Sequence, residues 1–170
     1  MTDDLKPRPG FDPRPGFHLK RDPRIERLIR APVAVVWRCL VEAQMLRRWW
    51  VPSPVVVADM VIEATPGGRF FTHMILPDGA EHQVEMMIMC ADAGRRLVFT
   101  DLMTMGFRPV AEPMFGFAAE ITLTEAAGGT AYSATARHAR SFDAASHLEM
   151  GFHDGWGTVA DQLAALAPTL

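Results

Sequence analysis

Phe115-Gly116-Phe117-Ala118-Ala119-Glu120-Ile121-Thr122-Leu123-Thr124 is the stretch on which the fold turns. Phe115, Phe117, Ala119, Ile121 and Leu123 fall on one face, with Glu120, Thr122 and Thr124 on the other. That two-residue period marks a half-buried strand. Residues 125–129 supply a turn, and residues 130–138 read as the partner strand, whose Ala131, Ser133, Ala134, Thr135 and Ala136 are all small. Beyond it the period lengthens. Residues 143–167 predict one long helix, with Leu148, Phe152, Gly155, Val159, Leu163 and Leu166 along one stripe and Trp156 at its edge. Glycine weakens a helix by up to about 1 kcal/mol. Gly155 in mid-stripe therefore signals either close approach of the sheet or empty volume beneath it.

Working towards the N-terminus, residues 95–102, 81–90, 69–76 and 55–62 each read as strands. Pro77-Asp78-Gly79 is a tight reversal, and residues 103–113 form a loop with two prolines. Residues 42–50 predict a short helix ended by Pro52 and Pro54. Ala31-Pro32 opens another, with Val33, Val36, Trp37 and Leu40 at helical spacing. Residues 25–30 form the first strand. The order is one strand, two short helices, about six antiparallel strands and a long helix. It predicts an α+β fold in which a curved sheet wraps the C-terminal helix, a helix grip. Such a grip encloses a cavity.

Residues 1–24 differ from the rest. RPGF and DPR each occur twice there, a density of Pro and Gly that breaks regular structure. This stretch reads as an extended arm, with Phe11 and Phe17 placed to dock on its own domain or on a neighbouring subunit. Residues 25–170 form a single domain.

The chain has 170 residues, 49% hydrophobic and 22% charged, with a net charge of −3. No basic surplus exists for nucleic acid. No apolar run approaches the roughly 18 residues of a membrane helix, and residues 1–20 lack the apolar centre of a secretory signal. Cys39 and Cys90 read as reduced thiols in a cytoplasmic protein.

Several segments together resemble a known family. They are Ala31-Pro32 with Val36-Trp37, then Leu46-Arg47-Arg48-Trp49-Trp50-Val51-Pro52, Pro66-Gly67-Gly68-Arg69-Phe70 and Pro77-Asp78-Gly79. Further on come Arg96-Leu97-Val98-Phe99-Thr100, Gly129-Thr130 and Gly151-Phe152-His153-Asp154-Gly155-Trp156-Gly157 with Asp161-Gln162-Leu163. In order and spacing they resemble the START/birch-pollen-allergen superfamily. Within it they are similar to the stand-alone bacterial homologues of the heat-shock-protein-90 ATPase activator. The resemblance implies the helix-grip fold. The superfamily spans lipid carriers, cyclases, antibiotic-resistance proteins and chaperone regulators, so it implies no catalytic residue here.

The residues offer little chemistry. No HExxH or CxxC pair occurs among the six histidines and two cysteines, so no metal or other cofactor is expected. His147 and His153, six apart on one helix, point about 120° apart. No GxSxG elbow or phosphate loop is present. Asp154 beside His153 reads as a solvated helix face.

With Pro77-Asp78-Gly79 as a hairpin, Thr72 opposes Glu85 and Phe70 opposes Met87. Phe70, Thr72, Met74, Glu85 and Met87 then share the concave face, where a buried Glu85 would be a candidate acid or base. Trp50, Phe99, Phe117, Phe152 and Trp156 complete the candidate pocket. Seven of the 11 methionines (Met74, Met86, Met87, Met89, Met103, Met105 and Met114) fall in the middle strands and the loop after them. They predict a deformable wall and a lid at residues 103–114.

The expected function is to bind a small hydrophobic or aromatic ligand between sheet and helix. The alternatives are a cyclase or hydrolase using Glu85 or His73, and a stress-response protein that regulates a chaperone. Both faces of residues 69–90 are largely apolar, which suggests a homodimer.

Overall fold

The computed structural model describes residues 20–170. The doubled RPGF arm, with Phe11 and Phe17, lies outside the described residues. Regular pairing starts before residue 25, because Pro23 and Arg21 carbonyls already accept from the backbone N–H of Ala136 and His138.

The architecture is α+β. Strands β1 (Arg24–Ile29), β2 (Val56–Ile62), β3 (Arg69–Ile75), β4 (Glu81–Asp92), β5 (Arg96–Thr100), β8 (Phe117–Ala126) and β9 (Gly129–His138) form one antiparallel sheet. Its order is β1-β9-β8-β5-β4-β3-β2. The segment expected to be a plain loop holds a two-stranded ribbon, β6 (Met103–Thr104) and β7 (Arg108–Pro109). Helices α1 (Val33–Val41) and α2 (Ala43–Leu46) follow β1, and α3 (Ser141–Glu149) and α4 (Phe152–Leu166) follow β9.

The deciding stretch behaves as its alternation requires. Phe117, Ala119, Ile121 and Leu123 of β8 are buried, and the residues between them are not. In β9 the buried Tyr132, Ala134, Ala136 and His138 stand beside them. In α1 Val36, Cys39 and Leu40 are buried. Behind α2 the fully buried Trp49 donates its indole N–H to the Cys39 carbonyl at 2.9 Å, which fixes the turn that carries Trp50.

The expected single C-terminal helix is two. Gly151 sits at φ 94°, in the left-handed region that glycine enters freely, and ends the run. Leu148 therefore leaves the buried stripe and is partly exposed. Helix α4 alone spans the sheet and contacts β1, where Arg27 makes a two-pronged ion pair with Asp161 at 2.6 and 3.3 Å.

The hairpin after β3 also differs from expectation by one residue. Leu76 N–H donates to the Ala80 carbonyl, closing a three-residue loop with Gly79 at φ 85°. Thr72 therefore pairs with Val84, Phe70 with Met86 and Phe71 with Glu85. A one-residue change of register exchanges the faces of a strand. Glu85 and Met87 thus stand on the outer face, and Val84 and Met86 take their places inside.

Candidate functional site

Between the sheet and α4 lies a half-open, largely apolar cavity of about 350 Å³. A groove of about 530 Å³ on the outer face of β1, β9 and β8 is shallower and more polar. Of the residues expected at the pocket, Trp50, Thr72, Met74, Phe99, Phe117 and Trp156 line the cavity. Phe70 and Phe152 are fully buried just behind it. The Phe70 ring lies 4.9 Å from Trp50 and 5.2 Å from Phe99, and Phe152 lies 4.8 Å from Trp156. These rings meet edge-on or tilted, the arrangements that aromatic quadrupoles favour.

Each wall has a local cause. The Trp50 wall is held by Gln162 of α4. Its amide N–H group donates to the carbonyls of Trp49 and Val51, both at 2.8 Å, and its carbonyl accepts from Ser53 N–H at 2.9 Å. Gly155 lines the helix wall, and a Cβ placed there would meet no atom within 4 Å. The glycine borders empty volume rather than close-packed sheet. Opposite α4, the Phe115–Phe117 wall is pinned by the buried Asp101. Its carboxylate accepts from the backbone N–H of Phe115, Gly116 and Phe117 at 2.8, 3.0 and 2.8 Å.

Four polar side chains of the cavity escaped the sequence reading. Asp101 is one. Tyr132 is buried at the β9 wall, and burial pushes its hydroxyl well above the ordinary phenol range. His82 comes inside with the corrected register. His147 on α3 stacks on Phe115, ring centroids 4.2 Å apart, and its Nδ1 lies 3.0 Å from His138 Nε2. Burial first, and then the neighbouring His138, lower its pKa from 6.5 to about 4, partly offset by Asp101. It is neutral at pH 7. Thr72, expected at the pocket, brings a further polar atom. Its Oγ1 is fully occluded and has no hydrogen-bond partner among the described residues.

The other candidates point away. Glu85 pairs with Arg69 at 2.9 Å on the outer face, and Arg69 also lies over the Phe71 ring. His73 pairs with Glu81 at 2.8 Å on the same face. Neither residue lines the cavity. Met87 is fully buried on the outer face, against which the β6–β7 ribbon packs. That face carries the Arg69–Glu85 and His73–Glu81 ion pairs beside the partly exposed Phe71, Ile75 and Met89. Of the expected methionine wall and lid, Met74, Met86 and Met114 reach the cavity, while Met89 and Met105 are exposed. Among the described residues no cluster of His, Cys, Asp or Glu is arranged to hold a metal ion. No helix among them is long and apolar enough to cross a membrane.

Known structures share this frame. A protein from Nitrosomonas europaea is 33% identical, with a TM-score of 0.85 over 90% of this chain and 97% of that one. A protein from Arthrobacter aurescens is 23% identical, with a TM-score of 0.73 over 89% and 88%. An AHSA1-like protein from Aeromonas hydrophila is 20% identical, with a TM-score of 0.66 over 85% and 90%. No curated protein matches the sequence. The family model for "Activator of Hsp90 ATPase homolog 1-like protein" matches residues 30–167. With both the helix-grip frame and nearly the whole domain accounted for, the chain belongs to the activator of Hsp90 ATPase homolog 1-like family.

Proposed function

We propose that the protein binds a small hydrophobic or aromatic ligand in the cavity between the sheet and α4. The observation that carries this reading is the cavity itself. It offers about 350 Å³, walled by Trp50, Phe99, Phe117 and Trp156, with empty volume at Gly155. A core packed only for stability fills such space, because interiors reach the density of organic crystals. Concave apolar clefts of this size are where small ligands bind. Free Cys39 and Cys90 suit a reducing cytoplasm.

The neutral fluorescent probe N-phenyl-1-naphthylamine tests the reading. The wild-type protein is expected to enhance its emission saturably, and Gly155→Phe is expected to abolish that response. Absence of saturable binding, or equal binding by the variant, would overturn it. The acid–base alternative relied on Glu85 or His73, and the outer-face positions of both remove its support.

A further inference from the structure

The proposed cavity ligand can be narrowed by following protons through two histidines. His138 Nδ1 lies 3.0 Å from the Arg21 carbonyl. A carbonyl only accepts, so His138 Nδ1 carries the proton. In its neutral form His138 then presents a lone pair at Nε2. His147 Nδ1, 3.0 Å away, must donate to it. The remaining nitrogen of the neutral His147, Nε2, is therefore an acceptor. It has no partner among the described residues, and its ring lines the cavity.

Two other features bear on the ligand. The buried Asp101 carboxylate lines the same cavity, and no Lys or Arg among the described residues does. A ligand carboxylate there would meet a like charge without a counter-ion, which is costly in an apolar site. A further unpaired atom, fully occluded, is Thr72 Oγ1, on β3, four strands from β9 in the sheet order. A buried hydroxyl left unpaired costs free energy that a ligand polar group recovers. His147 Nε2 and Thr72 Oγ1 both belong to residues of the cavity wall, and most of that wall is aromatic and aliphatic.

We propose that the ligand is an uncharged aromatic alcohol whose hydroxyl donates to His147 Nε2, with a second polar atom able to pair Thr72 Oγ1 at the other side of the cavity. This rests on the cavity reading above and specifies the chemistry of its occupant. The fused histidine pair fixes the direction of the bond, because it offers the cavity an acceptor and no donor.

Calorimetric titration with three naphthalenes tests it: 2-naphthol, 2-methoxynaphthalene and 2-naphthoate. The naphthol is expected to bind about five- to tenfold tighter than its methyl ether, the worth of one net hydrogen bond. The naphthoate is expected to bind more weakly than either. His147→Phe keeps a ring against Phe115 and removes the acceptor. In that variant naphthol is expected to fall to the level of the ether, whose own affinity stays within twofold. Equal binding of naphthol and ether by the wild type, or an undiminished preference in His147→Phe, would overturn the proposal and leave the cavity reading standing. Failure of both neutral probes to bind would overturn both. Should His147→Phe not fold, long-range proton–nitrogen spectra of the wild type decide. An Nδ1-protonated His147 whose Nε2 resonance moves on adding naphthol supports the proposal, and an Nε2-protonated His147 overturns it.

Discussion

The side-chain amide of Gln162, on α4, donates to the Trp49 carbonyl at 2.8 Å and so ties the helix to the turn that carries Trp50. The same amide group serves Val51 and Ser53, so one side chain satisfies three backbone groups. Gln162→Ala leaves these part-buried groups to find water. A loss of about 1–3 kcal/mol is expected in urea unfolding. Probe affinity should fall as well, because Trp50 loses its support. A variant as stable as wild type would show that the bridge holds nothing.

Asp101 does for the opposite wall what Gln162 does for the Trp50 wall, but through charge. Both carboxylate oxygens are used, and Gly116, one of the three donors, sits at φ 65°. Asp101→Asn turns one oxygen into a donor that faces a backbone N–H. A destabilisation of about 2–3 kcal/mol is expected, since hydrogen bonds to a charged group are the stronger kind. Phe115–Phe117 exchange protection should fall with it, measured by amide hydrogen exchange.

His147 gives the protein an acid-side sensitivity. Its folded pKa of about 4 lies below the ordinary 6.5. Between those values the unfolded chain takes up a proton that the folded chain refuses, so stability falls as pH falls. His138 and Asp101 are the charged or titratable groups facing it, with opposite effects. The stability is fully present above pH 6.5, and about 3 kcal/mol is lost by pH 4. His147→Phe removes that contribution. Urea midpoints at pH 7 and pH 4.5 should differ less in the variant than in wild type; an equal difference would rule His147 out as the cause.

Much of this was legible because periodicity reports burial directly. Phe117, Ala119, Ile121 and Leu123 alternate, and their strand is where the alternation puts it. Trp50, Phe99 and Trp156 were readable as large rings on buried stripes. The rest depended on geometry that periodicity does not carry. The three-residue loop Pro77-Asp78-Gly79 sets a register one residue from the expected one, which puts Glu85 and Met87 on the outer face. Gly151 broke a stripe that ran on in phase from Leu148 to Phe152. His147 and Asp101 are polar residues buried by partners distant in sequence, and no local pattern announces such partners.

Gly155 was noticed in the sequence for its cost, and the structure states what the cost secures. Its hydrogen faces open space rather than backbone, so a methyl group can be added without a clash. Gly155→Ala should therefore stabilise the helix by about 0.5–1 kcal/mol. That corresponds to a rise in melting temperature of roughly 2–4 °C for a chain of this size. A larger side chain enters the cavity itself. Gly155→Phe should unfold no more readily than wild type, because it adds buried apolar contact, yet it should no longer accommodate a neutral aromatic probe. The pair separates two roles for the glycine. Were it needed for close packing, both substitutions would destabilise, and Phe more severely. If it is there to keep volume empty, stability and binding move in opposite directions along the series Gly, Ala, Phe. Differential scanning calorimetry beside probe titration on the three proteins distinguishes these outcomes.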